Sequence, residues 1–164
     1  MFPFPSHVNH QNATKFHRIT PTSAKLGILH QDEQVELIAG QIIRKMSPQG
    51  SSHAAAIRRA DRLFSQSLGK RVSVQKQLPV ILNNFSQPEP DIAVVKVDPL
   101  DYDDSHPTAE DVYLIVEIAD STLKSDLEVK GKEYAKSGIE DYWVLDVNHR
   151  QLYVNLLRMD INRK

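Results

Sequence analysis

Val112-Tyr113-Leu114-Ile115-Val116-Glu117-Ile118 is the stretch that decides the fold. An apolar run this continuous is the pattern of a strand buried on both faces, as inside an α/β sheet. Glu117 interrupts it. A carboxylate inside a buried strand is costly unless something compensates for it. A second acid, Asp91, opens another apolar run, Asp91-Ile92-Ala93-Val94-Val95. Lys130 lies further along, in Ser125-Asp126-Leu127-Glu128-Val129-Lys130. Two converging acids are compensated most simply by a divalent metal, and a nearby lysine points to phosphodiester chemistry.

The bulk composition bounds the rest. A chain of 164 residues suits one domain with a real core. A formal net charge of -1 excludes a wholly basic nucleic-acid coat, so any nucleic-acid contact must come from a local patch. With no cysteine there is no disulfide and no thiolate zinc site, and a cytoplasmic protein is expected. No apolar stretch approaches the ~20 residues of a membrane span. Met1-Phe2-Pro3-Phe4-Pro5-Ser6 lacks the basic start and long apolar region of a signal peptide.

The other elements are arranged outward from the deciding strand. Residues 1–19 read as a poorly ordered arm, 20–157 as the folded domain, and 158–164 as a tail. Thr20-Pro21 opens a short helix through Leu29. Val35-Glu36-Leu37-Ile38 and Gln41-Ile42-Ile43 form a hairpin around Ala39-Gly40, although alanine suits a two-residue turn poorly. A turn-rich link, Met46 to Ser51, leads to a helix over 52–68. Its apolar face is Ile57, Ala60, Phe64 and Leu68, and Gly69 ends it. Strands are expected at 71–76, 78–82 and 91–97, the last two separated by the loop Asn83–Pro90. An acidic loop, Asp98–Asp111, precedes the Glu117 strand. Ser125 and Glu128 have the spacing of a capping box, which starts a second helix near Asp126. Gly138 stops it, and 142–147 and 152–156 form two closing strands. This order of elements gives an α/β fold class.

Each candidate residue has a plainer reading beside it. Asp91 at the first position of a strand is often a solvated rim residue. A buried Glu117 needs a partner, or else marks a strand end or an ion pair. Leu127, Lys130 and Tyr134 share one helix face, which should look toward the sheet. The plain alternative for Lys130 is a surface pair with Asp126, contributing only about 0.3–0.5 kcal/mol. On pattern alone Glu36, between Val35 and Leu37, faces solvent, and His53 is a capping or packing residue. Tyr142-Trp143-Val144-Leu145 is core strand. Arg58, Arg59, Arg62, Lys70, Arg71 and Lys76 form a phosphate-facing patch if they converge, and otherwise a solvated surface.

Several stretches in one order resemble the Uma-two family of restriction-endonuclease-like proteins, from about Gly27 to Tyr153. They are Val35-Glu36-Leu37-Ile38-Ala39-Gly40-Gln41-Ile42, Met46-Ser47-Pro48-Gln49-Gly50 with His53-Ala54, Glu89-Pro90-Asp91-Ile92-Ala93, Val116-Glu117-Ile118-Ala119-Asp120-Ser121-Thr122-Leu123, Asp126 with Lys130, and Tyr134-Ala135-Lys136-Ser137-Gly138-Ile139 before Tyr142-Trp143. The resemblance implies a mixed β-sheet flanked by helices, a variant of the P-D…(D/E)-x-K nuclease fold. It implies that Asp91 and Glu117, with the Ile118 carbonyl, hold Mg²⁺ or Mn²⁺. It places the lysine at Lys130 on the helix, because the usual slot two residues after the second acid holds Ala119. It matches Glu36 to an acid of the first hairpin and His53 to a histidine at the helix start. Gln41 departs from the family, which often has Glu there, and the stretch after Leu156 departs from its usual continuation, as a truncation would.

Three readings remain open at this point. The first is a metal-dependent endonuclease acting on DNA, with a homodimer implied by resemblance. The second is a nuclease-like module that binds nucleic acid or another partner without cleaving. The third is an α/β protein in which Glu117 and Lys130 form only an internal ion pair.

Overall fold

The structure, a computed structural model, describes residues 35–44 and 50–156. The expected arm at 1–19, the helix opened by Thr20-Pro21, the Met46–Gln49 part of the link and the tail at 158–164 lie outside the described residues.

The deciding stretch is the central strand of a five-stranded sheet. The elements are β1 (Val35–Ile38), β2 (Gln41–Arg44), α1 (Ser51–Leu68), β3 (Ser73–Gln75), β4 (Ile92–Val95), β5 (Val112–Ala119), a continuous helix α2, β6 (Asp141–Asp146) and β7 (Gln151–Leu156). Helix α2 consists of Leu123–Ser125, a π-helical turn over Asp126–Lys130, and Gly131–Lys136. The sheet order is β3-β4-β5-β6-β7. Only β5 and β6 pair in parallel, and α2 is the crossover that such a pair requires. The fold is thus mixed α/β, with one helix on each face of the sheet.

Alternation along β5 divides the core in two. Val116 and Ile118 join Ile92 and Val94 under Ala56 and Ile57 of α1. The expected face of that helix, Ala60, Phe64 and Leu68, packs against the same cluster. Ile115 and Ala119 point the other way, toward Tyr134 of α2 and Tyr142 of β6. Gly69 and Gly138 end their helices with φ of 60° and 82°, the left-handed geometry that glycine adopts without strain.

The first hairpin forms as expected. Both its turn residues are left-handed, Ala39 at φ 51° and Gly40 at φ 78°. Alanine is held there by docking. Its N–H donates to Ser86 Oγ at 2.9 Å, and the Gly40 N–H to the Phe85 carbonyl at 2.7 Å.

Two expectations are corrected. Residues 78–82 form no strand. The N–H groups of Val80, Ile81 and Leu82 bond instead to Pro88, Pro107 and Ser86 carbonyls, so the segment is tied to loops rather than laid in a ladder. The Ser125 capping box does not form. Ser125 is already helical at φ -63°, and the helix starts at Leu123, two residues before Ser125 and three before the expected start at Asp126. Thr122 Oγ1 bonds Asp126 Oδ2 at 2.6 Å across that first turn.

Candidate active site

The register of the central strands brings the two acids together. Ile92 pairs with Val116 and Ala93 with Ile115 in antiparallel order. Continuing one residue outward sets Asp91 opposite Glu117, on the same side of the sheet. Both line a pocket of about 210 Å³ at the sheet's rim, with Glu36, His53, Asp126 and Lys130.

Lys130 reaches in from α2, as the helical spacing predicts. Its Nζ lies 3.1 Å from Glu117 Oε1 and 3.0 Å from Glu36 Oε2, and its side chain is only 14% exposed. The plain reading of Lys130 as a surface partner of Asp126 is therefore set aside. Burial opposes the ammonium, but Glu117, Glu36 and Asp126 more than offset that and raise its pKa. Glu117 has the opposite balance. Burial dominates, Lys130 offsets only part of it, and Asp91, Asp126 and Glu36 add repulsion, so its carboxyl is pushed up to about 8. The asymmetry is physical: one ammonium faces three acids, while each acid has a share of one ammonium.

Glu36 does not face solvent as its alternating pattern suggests. It is 2% exposed, because every residue of β1 is buried. The hairpin is stitched to the following loop by the Gln87 N–H bond to the Leu37 carbonyl at 2.7 Å. Glu36 Oε1 accepts from the Glu89 N–H at 3.2 Å and from Lys130 at 3.2 Å. Gln41, where the expected outer acid is missing, is exposed at the turn and does not line this pocket.

His53 is likewise more than a helix cap. The first turn of α1 carries it to the sheet rim, where Nε2 lies 3.1 Å from Asp91 Oδ2. This bond raises the His53 pKa most, against burial, and charge on Asp91 and the Ile118 backbone add to the rise. Burial would raise the Asp91 carboxyl, but the His53 bond and charge, the Ile118 N–H at 2.8 Å and Lys130 hold it below the ordinary value. Gln77 Nε2 donates to the other oxygen, Oδ1, at 3.3 Å. Ile118 thus enters the site through its N–H.

Two residues of the site, Tyr134 and Asp126, receive no site role from the sequence reading, although both stand in stretches that carry the resemblance. Helical spacing places Tyr134 on the inward face of its helix and no more, yet its hydroxyl donates to Glu117 Oε1 at 2.9 Å. With Lys130 on the same oxygen, every described hydrogen bond of this carboxylate falls on Oε1. Asp126 is 4% exposed, and burial raises its carboxyl despite Lys130 and Thr122. Its position four residues before Lys130 is the available signal.

Four buried acids, Glu36, Asp91, Glu117 and Asp126, therefore surround one ammonium and one imidazole. Oxygen donors with excess negative charge suit a hard divalent cation such as Mg²⁺ or Mn²⁺. Among the described residues no three His, Asp or Glu side chains are grouped to ligate an ion together. An ion here would draw on Asp91 and Glu117 and complete its shell with water or phosphate oxygens, a pattern common for Mg²⁺.

The basic residues of the surface converge less than the sequence suggests. Lys76 pairs with Asp61 at 2.8 Å, and Arg71 bonds the Leu68 and Ser67 carbonyls at the end of α1. Arg58, Arg59 and Arg62 are exposed on α1. No described helix is long and apolar enough to cross a membrane.

Comparison with known proteins agrees with this architecture. The sequence pattern of the Uma2 family, described as "Putative restriction endonuclease", matches residues 14–161. A crystal structure of "a putative nuclease belonging to DUF820 from Anabaena variabilis ATCC 29413" superposes with a TM-score of 0.62. It is 18% identical, and the alignment covers 83% of this chain and 79% of that one. At that identity the likeness establishes the fold. No curated protein matches the chain.

Proposed function

The chain belongs to the Uma2 family of restriction-endonuclease-like proteins, and from that premise we propose that it is a divalent-metal-dependent endonuclease hydrolysing DNA phosphodiester bonds. The observation that carries the reading is the convergence of Asp91, Glu117 and Lys130 on one pocket from β4's entry, β5 and α2.

Asp91 and Glu117 would hold Mg²⁺ or Mn²⁺, with Glu117 Oε2 as the oxygen not already engaged by described residues. When bound, such an ion polarises a phosphoryl oxygen and makes bound water more acidic. His53 and the Ile118 N–H fix the Asp91 carboxylate from two sides. Tyr134 fixes Glu117. The Lys130 ammonium, held by Glu36 as well as Glu117, orients the attacking water and offsets charge as it builds on the phosphate. Arg58, Arg59 and Arg62 supply contacts to the nucleic-acid backbone, which carry no sequence information.

Purified protein should cleave DNA with Mg²⁺ or Mn²⁺ and stop when EDTA is added. Asp91→Ala should abolish cleavage while leaving the circular dichroism spectrum unchanged. Equal cleavage by that variant refutes the assignment of the site.

A second reading, a nuclease-like module that binds without cutting, is favoured by one observation. Both oxygens of Asp91 already accept hydrogen bonds, from His53, Ile118 and Gln77. Calorimetry separates the two: no heat of binding at millimolar Mg²⁺ or Mn²⁺ selects the second.

A further inference from the structure

Lys130 is aimed by an unusual piece of helix. Residues Asp126–Lys130 form a π-helical turn, in which the Gly131 N–H bonds back to the Asp126 carbonyl, five residues earlier. Such a turn takes up an extra residue and rotates the C-terminal part of the helix relative to the N-terminal part. In a regular α-helix the same carbonyl would receive the Lys130 N–H.

Something must hold the wider turn open, and the structure contains one obvious group. The Tyr142 hydroxyl donates to that same Asp126 carbonyl at 2.9 Å. Tyr142 is wholly buried on β6, and its ring is fixed by Tyr134, with centroids 4.9 Å apart. Space on the helix side is matched to the ring. A Cβ at Gly131 would lie 3.3 Å from Tyr142 Cε1 and 3.5 Å from the Asp126 carbonyl oxygen. Glycine is a poor helix former, and here its missing side chain lets the phenol reach the backbone.

We propose that Tyr142 is a positioning residue for the reaction: its hydroxyl, seated against Gly131, clamps the π turn and thereby sets where the Lys130 ammonium lies between Glu36 and Glu117. The role in catalysis rests on the nuclease reading above. The clamp itself does not. The described hydrogen bond of the Tyr142 hydroxyl is to the backbone oxygen of Asp126, not to the Lys130 amine or to a carboxylate of the pocket; it acts through that one oxygen. Without the phenol, the Lys130 N–H competes for that oxygen, the turn tightens, and the ammonium swings away from the carboxylates.

The test is Tyr142→Phe in the full chain, which removes only the hydroxyl. The first readout is the side-chain Cε–Hε resonance of Lys130 in isotopically labelled protein, assigned with Lys130→Arg. It should move in Tyr142→Phe, while that of Lys132, on the outer face of the same helix, stays. The second readout is cleavage: kcat should fall about tenfold or more, with KM within about twofold. A loss of stability alone would lower the amount of folded enzyme without moving the resonance of the folded fraction. Should Tyr142→Phe not fold, Gly131→Ala presses on the same ring and carbonyl from the helix side and should shift the same resonance. An unmoved Lys130 resonance in a folded variant overturns the proposal, as does unchanged kcat in an active enzyme. If the wild-type protein cleaves nothing, the nuclease reading fails and the Lys130 resonance alone decides the clamp.

Discussion

Replacing Glu117 with Gln separates a metal-site acid from a structural ion pair, and the structure sets the sign. Burial and the neighbouring acids push the Glu117 carboxyl from its ordinary 4.5 up to about 8. In the metal-free protein the folded state therefore holds this proton more tightly than the unfolded state does. The stability that comes with the bound proton is fully present below pH 4.5 and is lost as pH rises through about 8. By pH 7 the folded state has lost about 3 kcal/mol relative to acid conditions at this one group. Glutamine removes that penalty. Against it, the folded wild type already holds this carboxyl mostly neutral at pH 7, so the cost is that of the glutamine amide group taking the place of Oε2, where no described residue bonds it. An unsatisfied buried donor costs about 1–3 kcal/mol. Lys130 keeps Glu36 at 3.0 Å, and the amide oxygen of glutamine can still accept from Tyr134.

The two terms nearly cancel at pH 7, so Glu117→Gln should leave stability within about 1.5 kcal/mol of wild type, on the higher side. Whatever the offset at pH 7, the variant's stability relative to wild type should fall as pH drops toward 4.5, because the carboxyl of the unfolded wild-type chain then takes up a proton too and the wild-type penalty disappears. Urea titrations in EDTA at pH 5 and pH 7 measure both quantities. Metal-dependent cleavage should be lost in the same variant. A destabilisation of about 3–5 kcal/mol, the scale expected on stranding a buried charge, would refute this reasoning and leave Glu117 and Lys130 as a structural pair.

Two further perturbations test how the pocket is supported. His53→Ala removes the imidazole that orients Asp91 and should weaken metal affinity or cleavage by about 10–100-fold, the range for groups that hold a metal-binding residue in place; calorimetry with Mn²⁺ reads the affinity. Ser86→Ala strands the Ala39 N–H and takes the buried hydroxyl from Glu133 Oε2, leaving that carboxylate only Lys136 on Oε1; it should cost about 1–3 kcal/mol in urea unfolding and speed hydrogen exchange at the hairpin that carries Glu36.

Much of this architecture is legible in the residues because it depends on local pattern. The apolar run of β5 specifies a central strand, the 3.6-residue spacing places Lys130 with Leu127 and Tyr134, and Gly69 and Gly138 mark helix ends. The rest depends on long-range docking, which periodicity does not encode. Glu36 reads as solvent-facing because β1 alternates, yet the loop through Gln87 and the helix bearing Lys130 cover it. Residues 78–82 have the composition of a strand, and only their loop partners decide otherwise. The π turn has no signature in Ser125–Lys130, because the group that bonds its carbonyl, Tyr142, lies sixteen residues away on another strand.

On the nuclease reading proposed above, the placement of the lysine on a helix follows from what surrounds Ala119. In the P-D…(D/E)-x-K pattern that the resemblance implies, the usual lysine lies two residues beyond the second acid, on the same face of the strand. Here that face leads inward. Ala119 is 1% exposed and packs in the cluster of Tyr134, Ile139 and Val144. An ammonium at that point would lose its hydration among apolar side chains, with the acids of the rim one strand repeat away. The crossover that the parallel pair β5 and β6 requires passes over this same face, where Tyr134 of α2 packs in the cluster of Ala119. Helix α2 is therefore the nearest element from which a long side chain can reach Glu117 from the pocket side. Lys130 uses its flexible stem to do so, and keeps its charge because Glu36 and Glu117 meet it together. On this reasoning Ala119→Lys combined with Lys130→Ala would not restore a working site, because the transplanted charge arrives inside the core.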